Sequence, residues 1–417
     1  MKGTMRFPRA AIAALAALTL VPPALADVPV PTKTERAVHE RALTLDTHLD
    51  TPASLVLPGW SITRRHSVRD DYTQVDVPRM VAGGLDGGFW AIYTPQGPLD
   101  PASTRAARDY AFARAVAIHA MVAAHREALA LADKAADAAP LAASGRRVVY
   151  LSIENAWPLG DDPTLLQTFY ALGVRISGFA HFRANQFADS STDAPKWDGL
   201  SPSGVQLLAE MNRLGVVADL SHSSDAALDD ALRLSKAPIL LSHSGCKAVY
   251  DHPRNIDDAH LRALAAQGGV IQINSVYVKK LAQDPQRKAA LDALEQRYPE
   301  HRTLSAAERA DYLARRHAID RQWPEARAGF DDFMANLRHA LTVAGVDHVG
   351  IGMDWDGGGG VAGLEDVADL PRVTAALLRA GYSEADVDKI WSGNVLRVLA
   401  AAEAESARER AGTAAPL

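Results

Sequence analysis

Residues 148–154 read Val-Val-Tyr-Leu-Ser-Ile-Glu, a short apolar run that ends at a carboxylate. Such a run has the length and the β-branched content of a strand that is buried on both faces. The same arrangement recurs along the chain. Other short apolar runs end at Asp46-Thr47-His48-Leu49-Asp50, His222, His243 and Asp354. Because a (β/α)8 barrel builds its active site at the carboxyl ends of its parallel strands, this recurrence predicts that fold.

Eight candidate strands can be counted, and amphipathic helical stretches lie between most of them. The strands are predicted at 43–48, 88–93, 148–153, 174–179, 216–220, 239–242, 270–274 and 349–353. Alternation of strand and helix indicates parallel pairing through right-handed crossovers. We therefore predict an α/β protein with one TIM-like barrel domain over residues 27–402.

A long, charged and helix-forming segment, residues 276–344, separates the seventh and eighth candidate strands. We interpret it as a helical insertion in the barrel. Three roles are compatible with its composition: a solvated decoration, a lid, or a subunit contact in a homodimer.

The composition of the 417 residues is that of an ordinary globular protein, with 48% hydrophobic residues and a net charge of −6. A negative net charge argues against nucleic acid as a partner. No Gly-rich phosphate loop and no His-Glu-x-x-His motif is present, so the sequence favours neither nucleotide chemistry nor a helix-borne zinc protease site. The single cysteine, Cys246, is interpreted as a small buried filler rather than a ligand.

The first 26 residues have the three parts of a secretory signal peptide. Lys2, Arg6 and Arg9 are positive, residues 10–20 are apolar but too short to span a bilayer, and Ala24-Leu25-Ala26 is a small-x-small cleavage site. An uncleaved anchor is the alternative. We expect an exported, periplasmic protein without a stable membrane anchor, and residues 403–417 are predicted to form a flexible tail.

Five residues have the types and positions of metal ligands. Alternate side chains of a strand share a face, so His48 and Asp50 can bind one metal together. The carboxylate of Glu154 can bridge two metals, and His222 and His243 end consecutive strands in the similar contexts Asp-Leu-Ser-His and Leu-Leu-Ser-His. Taken singly, each histidine would more often be structural; together they indicate a site for two divalent metals.

Three further residues are candidates for catalysis and substrate binding. Asp354 can act as an acid and base beside a dinuclear site, with Asp356 as its competitor. His181 can polarise a substrate carbonyl, and the planar fork of Arg254 can hold a free carboxylate.

With these motifs, the sequence resembles the renal, or membrane, dipeptidase family of the amidohydrolase superfamily, and specifically a bacterial member. The resemblance runs from about Arg41 to Glu403. It rests on the motifs 46–50, 83–90, 212–216, 219–222, 242–244, 253–256, 352–357 and 393–398.

The resemblance implies two Zn²⁺ ions per chain, one bound by His48 and Asp50 and the other by His222 and His243, with Glu154 bridging them. It implies that a hydroxide between the metals attacks the peptide bond of a dipeptide. His181 and Arg254 would bind the substrate and Asp354 would move the proton. A D-residue would be tolerated at the C-terminal position.

Two alternatives stay open at the level of sequence. One is an amidohydrolase that acts on N-acyl amino acids or lactams, because Arg254 suits any small substrate with a free carboxylate. The other is a non-catalytic, metal-binding periplasmic protein. A complete ligand set beside Asp354 favours the enzyme.

Overall fold

The computed structural model describes residues 28–299 and 303–413. The predicted signal peptide, residues 1–26, lies outside this part of the chain. The described residues form ten strands: β1 Leu45–Leu49, β2 Gly87–Ile92, β3 Leu129–Leu131, β4 Arg147–Ile153, β5 Val174–Gly178, β6 Val217–Asp219, β7 Leu240–Cys246, β8 Asn255–Ile256, β9 Val270–Ile273 and β10 Val349–Ile351.

The same residues form fifteen α-helices, and short 3-10 segments join some of them. The helices are α1 Lys33–Arg41, α2 Val68–Asp71, α3 Val77–Gly83, α4 Pro101–Ala124, α5 Ala138–Ala143, α6 Leu166–Ala171, α7 Pro202–Leu214, α8 Asp225–Leu234, α9 Asp258–Ala266, α10 Pro285–Arg297, α11 Ala306–Gln322, α12 Phe330–Ala344, α13 Pro371–Arg379, α14 Glu384–Asp388 and α15 Asn394–Thr413.

Eight of the strands form a parallel sheet in the order β1-β2-β4-β5-β6-β7-β9-β10. A parallel bridge between Leu49 and Trp355 joins its two ends, and the amide of Asp50 donates to the carbonyl of Trp355 over 2.9 Å. The sheet is therefore a nearly closed barrel, which confirms the predicted fold class. The two short extra strands, β3 and β8, pair with β4 and β7 outside this order.

Apolar side chains fill the lower part of the barrel. Residues near the starts of seven strands, among them Leu45, Phe89 and Ile176, form one buried cluster with Val395 and Leu399 of α15. Helix α15 thus covers the amino-terminal end of the barrel, and the carboxyl-terminal end is left for the site. A second and larger core lies between the strands and the surrounding helices.

The predicted insertion contains two different parts. Helices α10 and α11 share a small core of their own, built on Leu294, Tyr298 and Ile319. Helix α12 instead buries Phe333 and Leu337 in the main core, so it is the crossover helix that precedes β10. The insertion proper is the α10–α11 pair.

The segment predicted as a flexible tail is helical as far as the structure describes it. Residues 403–413 continue α15, the carboxylate of Glu403 accepts from the amide of Ala135 over 2.7 Å, and the hydroxyl of Ser406 donates to the carbonyl of Arg213 over 2.7 Å. A composition rich in Ala, Glu and Arg has high helix propensity, and these contacts fix one face of the helix.

Candidate metal centre

The carboxyl ends of the barrel strands bring seven of the predicted site residues into one buried group, which we name the strand-end cluster. It consists of His48, Asp50, Glu154, His181, His222, His243 and Asp354. Three subsets could each hold a cation, because their ligand atoms lie within 4.8 Å of one another. These subsets are His48-Glu154-His243, Glu154-His181-His222 and His48-Asp50-Asp354.

One carboxylate oxygen stands at the centre of this cluster. Oε1 of Glu154 lies 3.7 Å from Nε2 of His48, 3.2 Å from that of His181, 3.3 Å from that of His222 and 3.6 Å from that of His243. The Nε2 atoms of His222 and His243 are only 2.8 Å apart. Glu154 belongs to two of the three subsets that could hold a cation, so its carboxylate could contribute to more than one ion.

Nε2 of His48 lies 3.2 Å from Oδ2 of Asp50, although β1 ends at Leu49 and Asp50 is therefore not part of the strand. Nε2 of His48 is buried and has no hydrogen-bond partner among the described residues. An imidazole nitrogen that faces two carboxylates within 3.2 and 3.7 Å lies where it could coordinate a cation held between them.

Hydrogen bonds behind the cluster fix the tautomer of His243. The carboxylate of Asp219 accepts from the amides of Ser221 and Ser242 over 2.9 Å each, and from the hydroxyl of Ser242 over 2.5 Å. Since the single hydroxyl proton of Ser242 goes to Asp219, its oxygen accepts from Nδ1–H of His243 over 2.8 Å. Nε2 of His243 is then the unprotonated nitrogen, and it points into the cluster as a ligand must.

Asp46 is a second buried carboxylate behind the cluster, next to His48. It is fully buried, and its carboxylate accepts from the amides of His48 over 2.9 Å and of Met353 over 3.1 Å. It therefore ties the first strand to the segment that carries Asp354. Burial raises the pKa of Asp46 to about 7. No role was assigned to Asp46 or Asp219 from the sequence. Each lies two residues before a residue whose amide it accepts from, namely His48 and Ser221, and this spacing is the sequence feature that could have indicated their role.

The electrostatics of the cluster favour cations. Burial raises the pKa of Asp354 to about 7, and the neighbouring carboxylates of Asp50 and Glu154 add to this effect. Burial alone would lower the pKa of His48, but Asp50 and Glu154 outweigh it and raise that pKa to about 10. Burial holds the pKa of His222 and of His243 well below the usual value, so both imidazoles are neutral. Neutral imidazoles beside several carboxylates match the donor set of a divalent metal site.

The backbone is strained where the side chains enter the site. His222 and Asp354 adopt left-handed conformations, with φ of 67° and 66°. Such conformations cost free energy in residues other than glycine and are concentrated at functional sites. At Gly357 a Cβ atom would come within 2.1 Å of the Asp50 carboxylate and 2.2 Å of the Asp354 carboxylate, so only glycine fits there.

The structure separates Asp354 from its competitor Asp356. Strand β10 ends at Ile351, so the two aspartates are not neighbours on one strand face. Asp356 accepts from the hydroxyl of Thr51 over 2.7 Å and from the amide of Gln74 over 2.5 Å, which makes it a brace between loops. Among the described residues, Asp354 groups with His48 and Asp50, and Asp356 does not.

A small cavity of about 220 Å³ opens above the cluster. Five of the predicted site residues line it, namely Asp50, Glu154, His181, His222 and Asp354. The rest of its lining includes Tyr110, Arg114, Phe182 and Tyr277, which we name the outer wall and which sequence reasoning missed. His48 and His243 lie beneath the cavity and are almost fully buried.

Arg254 lies behind this wall rather than on it. Its guanidinium is buried, stands 5.3 Å from the ring centre of Tyr277, and donates through Nη2 to the carbonyl of His243 over 2.9 Å. Its Nε has no hydrogen-bond partner among the described residues.

Comparisons with known proteins agree with this geometry. Residues 32–412 match the family model of the membrane dipeptidases, peptidase family M19. The chain belongs to the membrane dipeptidase family. It is accordingly a dipeptidase, a hydrolase whose relatives act on small dipeptide substrates.

Individual members of the membrane dipeptidase family resemble this chain over most of its length. Dipeptidase tcpJ of Claviceps purpurea is 31% identical over 353 residues, which is 83% of this chain and 73% of that protein. The probable dipeptidase PvdM from Pseudomonas aeruginosa is 31% identical with a TM-score of 0.75, and the match covers 89% of this chain and 98% of that one.

A metallopeptidase from Rhodobacter sphaeroides, solved with a phosphinate mimic of the dipeptide L-Ala-D-Ala, has a TM-score of 0.67 at 25% identity, over 87% of this chain and 99% of that one. The narrower expectation of a bacterial member is not supported, because the curated relatives include fungal dipeptidases such as tcpJ. In the described part of the chain, no helix is both long and apolar enough to cross a membrane.

Proposed function

We propose that this dipeptidase is a zinc enzyme that binds two Zn²⁺ ions per chain. The observation that carries the proposal is the position of Glu154 Oε1, within 3.2 to 3.7 Å of four imidazole nitrogens. His48 and Asp50 would hold one ion, and His222 and His243 would hold the other. Glu154 would contribute its carboxylate to both ions. When bound, such ions polarise the scissile carbonyl and lower the pKa of water so that hydroxide is available near neutral pH.

Two residues act directly on the reacting groups in this proposal. His181 lines the cavity with its Nε2 directed at Glu154, so it can donate a hydrogen bond to the oxygen of the carbonyl under attack. Asp354 can accept a proton from the attacking water and give it to the leaving amine. Burial raises the pKa of its carboxyl above the usual range, which suits a group that both takes up and releases a proton.

Arg254 would bind the C-terminal carboxylate of the dipeptide. The unpartnered Nε supports this role, because a buried charged donor without an acceptor is costly and a substrate carboxylate would satisfy it. Binding the free carboxylate one residue beyond the scissile bond would restrict the enzyme to dipeptides. The competing interpretation is that Arg254 only braces the backbone at His243.

We also propose that a D-residue is accepted at the C-terminal position. The support is the related Rhodobacter metallopeptidase, whose bound ligand mimics L-Ala-D-Ala. Export through the predicted signal peptide, solubility in the periplasm, and dimerisation are further proposals that rest on the sequence alone.

A substrate screen with the zinc-loaded enzyme tests the proposal. Dipeptides with L and D C-terminal residues, their C-terminal amides, N-acyl amino acids and lactams would be assayed with and without a chelator. We expect hydrolysis of free dipeptides, weaker hydrolysis of amides, and loss of activity with chelator that added Zn²⁺ restores. Preferential hydrolysis of N-acyl amino acids or lactams would indicate a different amidohydrolase, and no hydrolysis of any compound would indicate a binding protein.

A further inference from the structure

The outer wall of the cavity carries a buried positive charge that the proposed reaction does not use. Arg114 belongs to α4, is only 6% exposed, and lines the cavity together with Tyr110 of the same helix. Its Nη1 donates to the carbonyl of Pro52, and its Nη2 donates to the hydroxyl of Tyr110 over 2.6 Å. Both partners are neutral.

Arg114 differs from most of the other buried arginines of the described chain. Arg79 pairs with Asp76 at 2.6 Å, Arg175 with Asp133 at 3.0 Å, and Arg287 with Asp320 at 2.7 Å. Within residues 28–299 and 303–412, no carboxylate oxygen lies within 4.0 Å of a guanidinium nitrogen of Arg114, and the same is true of Arg254.

A buried charge is normally paired, because removing it from water without a counter-charge is unfavourable. In the described part of the chain, the two buried arginines without a carboxylate partner are Arg114, which lines the cavity, and Arg254, which lies behind the cavity-lining Tyr277. This coincidence indicates that substrate groups supply the missing negative charges.

The two arginines lie on opposite sides of the barrel. Arg254 donates to the carbonyl of His243 on β7, whereas Arg114 belongs to the helix that follows β2 and donates to Pro52, just beyond β1. In the strand order, β2 and β7 are four strands apart in either direction around the ring. A dipeptide whose carboxylate binds at Arg254, and whose scissile bond lies at Glu154, therefore extends its N-terminal residue toward Arg114.

We propose that Arg114 selects dipeptides with an acidic N-terminal residue, by binding the side-chain carboxylate of Asp or Glu. The inference rests on the proposed function, in which Arg254 holds the other end of the substrate. Tyr110 completes the subsite: its oxygen accepts from Arg114, so its own hydroxyl proton can be donated to the same carboxylate.

The test compares two nearly isosteric substrates on the zinc-loaded enzyme. The wild type should hydrolyse Glu-Ala with kcat/KM at least about tenfold above that for Gln-Ala, because a site built for a charged group discriminates against its uncharged analogue. The ratio should fall to about one in Arg114→Met and stay intermediate in Arg114→Lys, which keeps the charge but loses the planar fork. A ratio taken within one preparation does not depend on the fraction of active protein.

The matched control is Arg108→Met. Arg108 belongs to the same helix, donates to the carbonyls of Pro158 and Leu159, and lies outside the cavity. This variant should keep the wild-type ratio. If Arg108→Met lowers the ratio as far as Arg114→Met does, the effect belongs to the helix and the proposal is overturned.

Three results would overturn the proposal directly. One is a wild-type enzyme whose kcat/KM is nearly the same for Glu-Ala and Gln-Ala. Another is an Arg114→Met enzyme that keeps the preference for Glu-Ala. The third is an Arg114→Met enzyme that instead loses its discrimination between Ala-Ala and Ala-Ala amide, which would place Arg114 at the C-terminal carboxylate.

Hydrolysis of Ala-Ala separates this inference from the proposed function. If Ala-Ala is cleaved in a chelator-sensitive reaction but Glu-Ala is not preferred, only the role of Arg114 fails. If no dipeptide is cleaved by the zinc-loaded wild type, both fail.

Discussion

The strand-end cluster and the outer wall meet at one cavity but differ in how their charges are balanced. In the cluster, imidazoles and carboxylates contact one another, as Glu154 does with four histidines. In the wall, the partners of the Arg114 guanidinium among the described residues are neutral. We infer that the cluster is arranged to hold cations, whereas the substrate supplies the negative charge that faces Arg114 in the wall. Changes in the cluster should affect turnover, and changes in the wall should affect selectivity.

The largest effect is expected at Asp354. Asp354→Asn should keep the metals and still bind dipeptide, but should lower kcat by about 10²–10⁴-fold, the usual contribution of a general acid–base group. Steady-state kinetics with metal analysis on the same sample would measure this. Asp356 braces loops through Thr51 and Gln74, so Asp356→Asn should keep most of its turnover. If Asp356→Asn instead loses turnover while Asp354→Asn keeps a near-normal kcat, the roles of the two residues are reversed.

A smaller effect is expected from the hydrogen bonds behind the cluster. Ser242→Ala removes the link between Asp219 and His243 without touching the cavity. Zinc affinity should fall by about 10–100-fold, as is typical when the partner of a ligating histidine is lost, while excess zinc should restore most of the activity.

The control for this change is Ser235→Ala, which removes a hydroxyl bond to the carbonyl of Ala237 away from the site and should leave zinc affinity unchanged. An unchanged affinity in Ser242→Ala would show that His243 needs no such orientation.

The smallest effect on activity is expected from a substitution in the framework, outside the strand-end cluster and the outer wall. His39 is fully buried, with Nε2 donating to the carbonyl of Gly83 over 2.8 Å and Nδ1 accepting from Thr374 over 2.7 Å. Burial lowers the pKa of His39 to about 4, although its bond to Gly83 opposes this effect. His39→Gln should leave kcat/KM at pH 7 near the wild-type value.

The pH dependence of stability should nevertheless reveal His39. Its neutral form stabilises the fold fully above pH 6.5, and the contribution is lost as the pH falls, because the unfolded chain takes up the proton first. Between pH 7 and 4 the wild type should lose about 3 kcal/mol of unfolding free energy that His39→Gln does not lose. Urea unfolding of both proteins measures the difference. Equal losses would mean that folding does not shift the pKa of His39.

The cluster could be predicted from the sequence because strand ends leave a strong signal. An apolar run fixes where each strand lies, and the first polar residue after it is carried to the carboxyl-terminal edge of the barrel. Asp50, Glu154 and Asp354 follow this rule, whereas His48 lies near the end of β1 and His222 lies three residues beyond β6; the structure brings all five together. The residues beneath them, Asp46 and Asp219, lie inside the strands, where a buried carboxylate shows its partners only in three dimensions.

The wall could not be predicted in the same way. Arg114 and Tyr110 lie within α4, where arginine and tyrosine usually face solvent, and nothing local shows that this turn of the helix meets the cavity. The bounds of the insertion were predicted too wide for a different reason. Helix α12 is more apolar and more amphipathic than α10 and α11, and it buries Phe333 and Leu337 in the barrel core. Its helical periodicity is the sequence feature that distinguishes it from the other two helices.

We propose that the strand-end cluster binds two divalent ions and that hydrolysis depends on both of them. The most direct measurement is a titration of metal-depleted wild type with Zn²⁺, following bound metal by elemental analysis and dipeptide hydrolysis in parallel. We predict about two ions per chain at saturation, with full activity only when both are bound, as two-metal hydrolases require. Saturation at one ion or none, or full activity in the metal-depleted protein, would contradict the account.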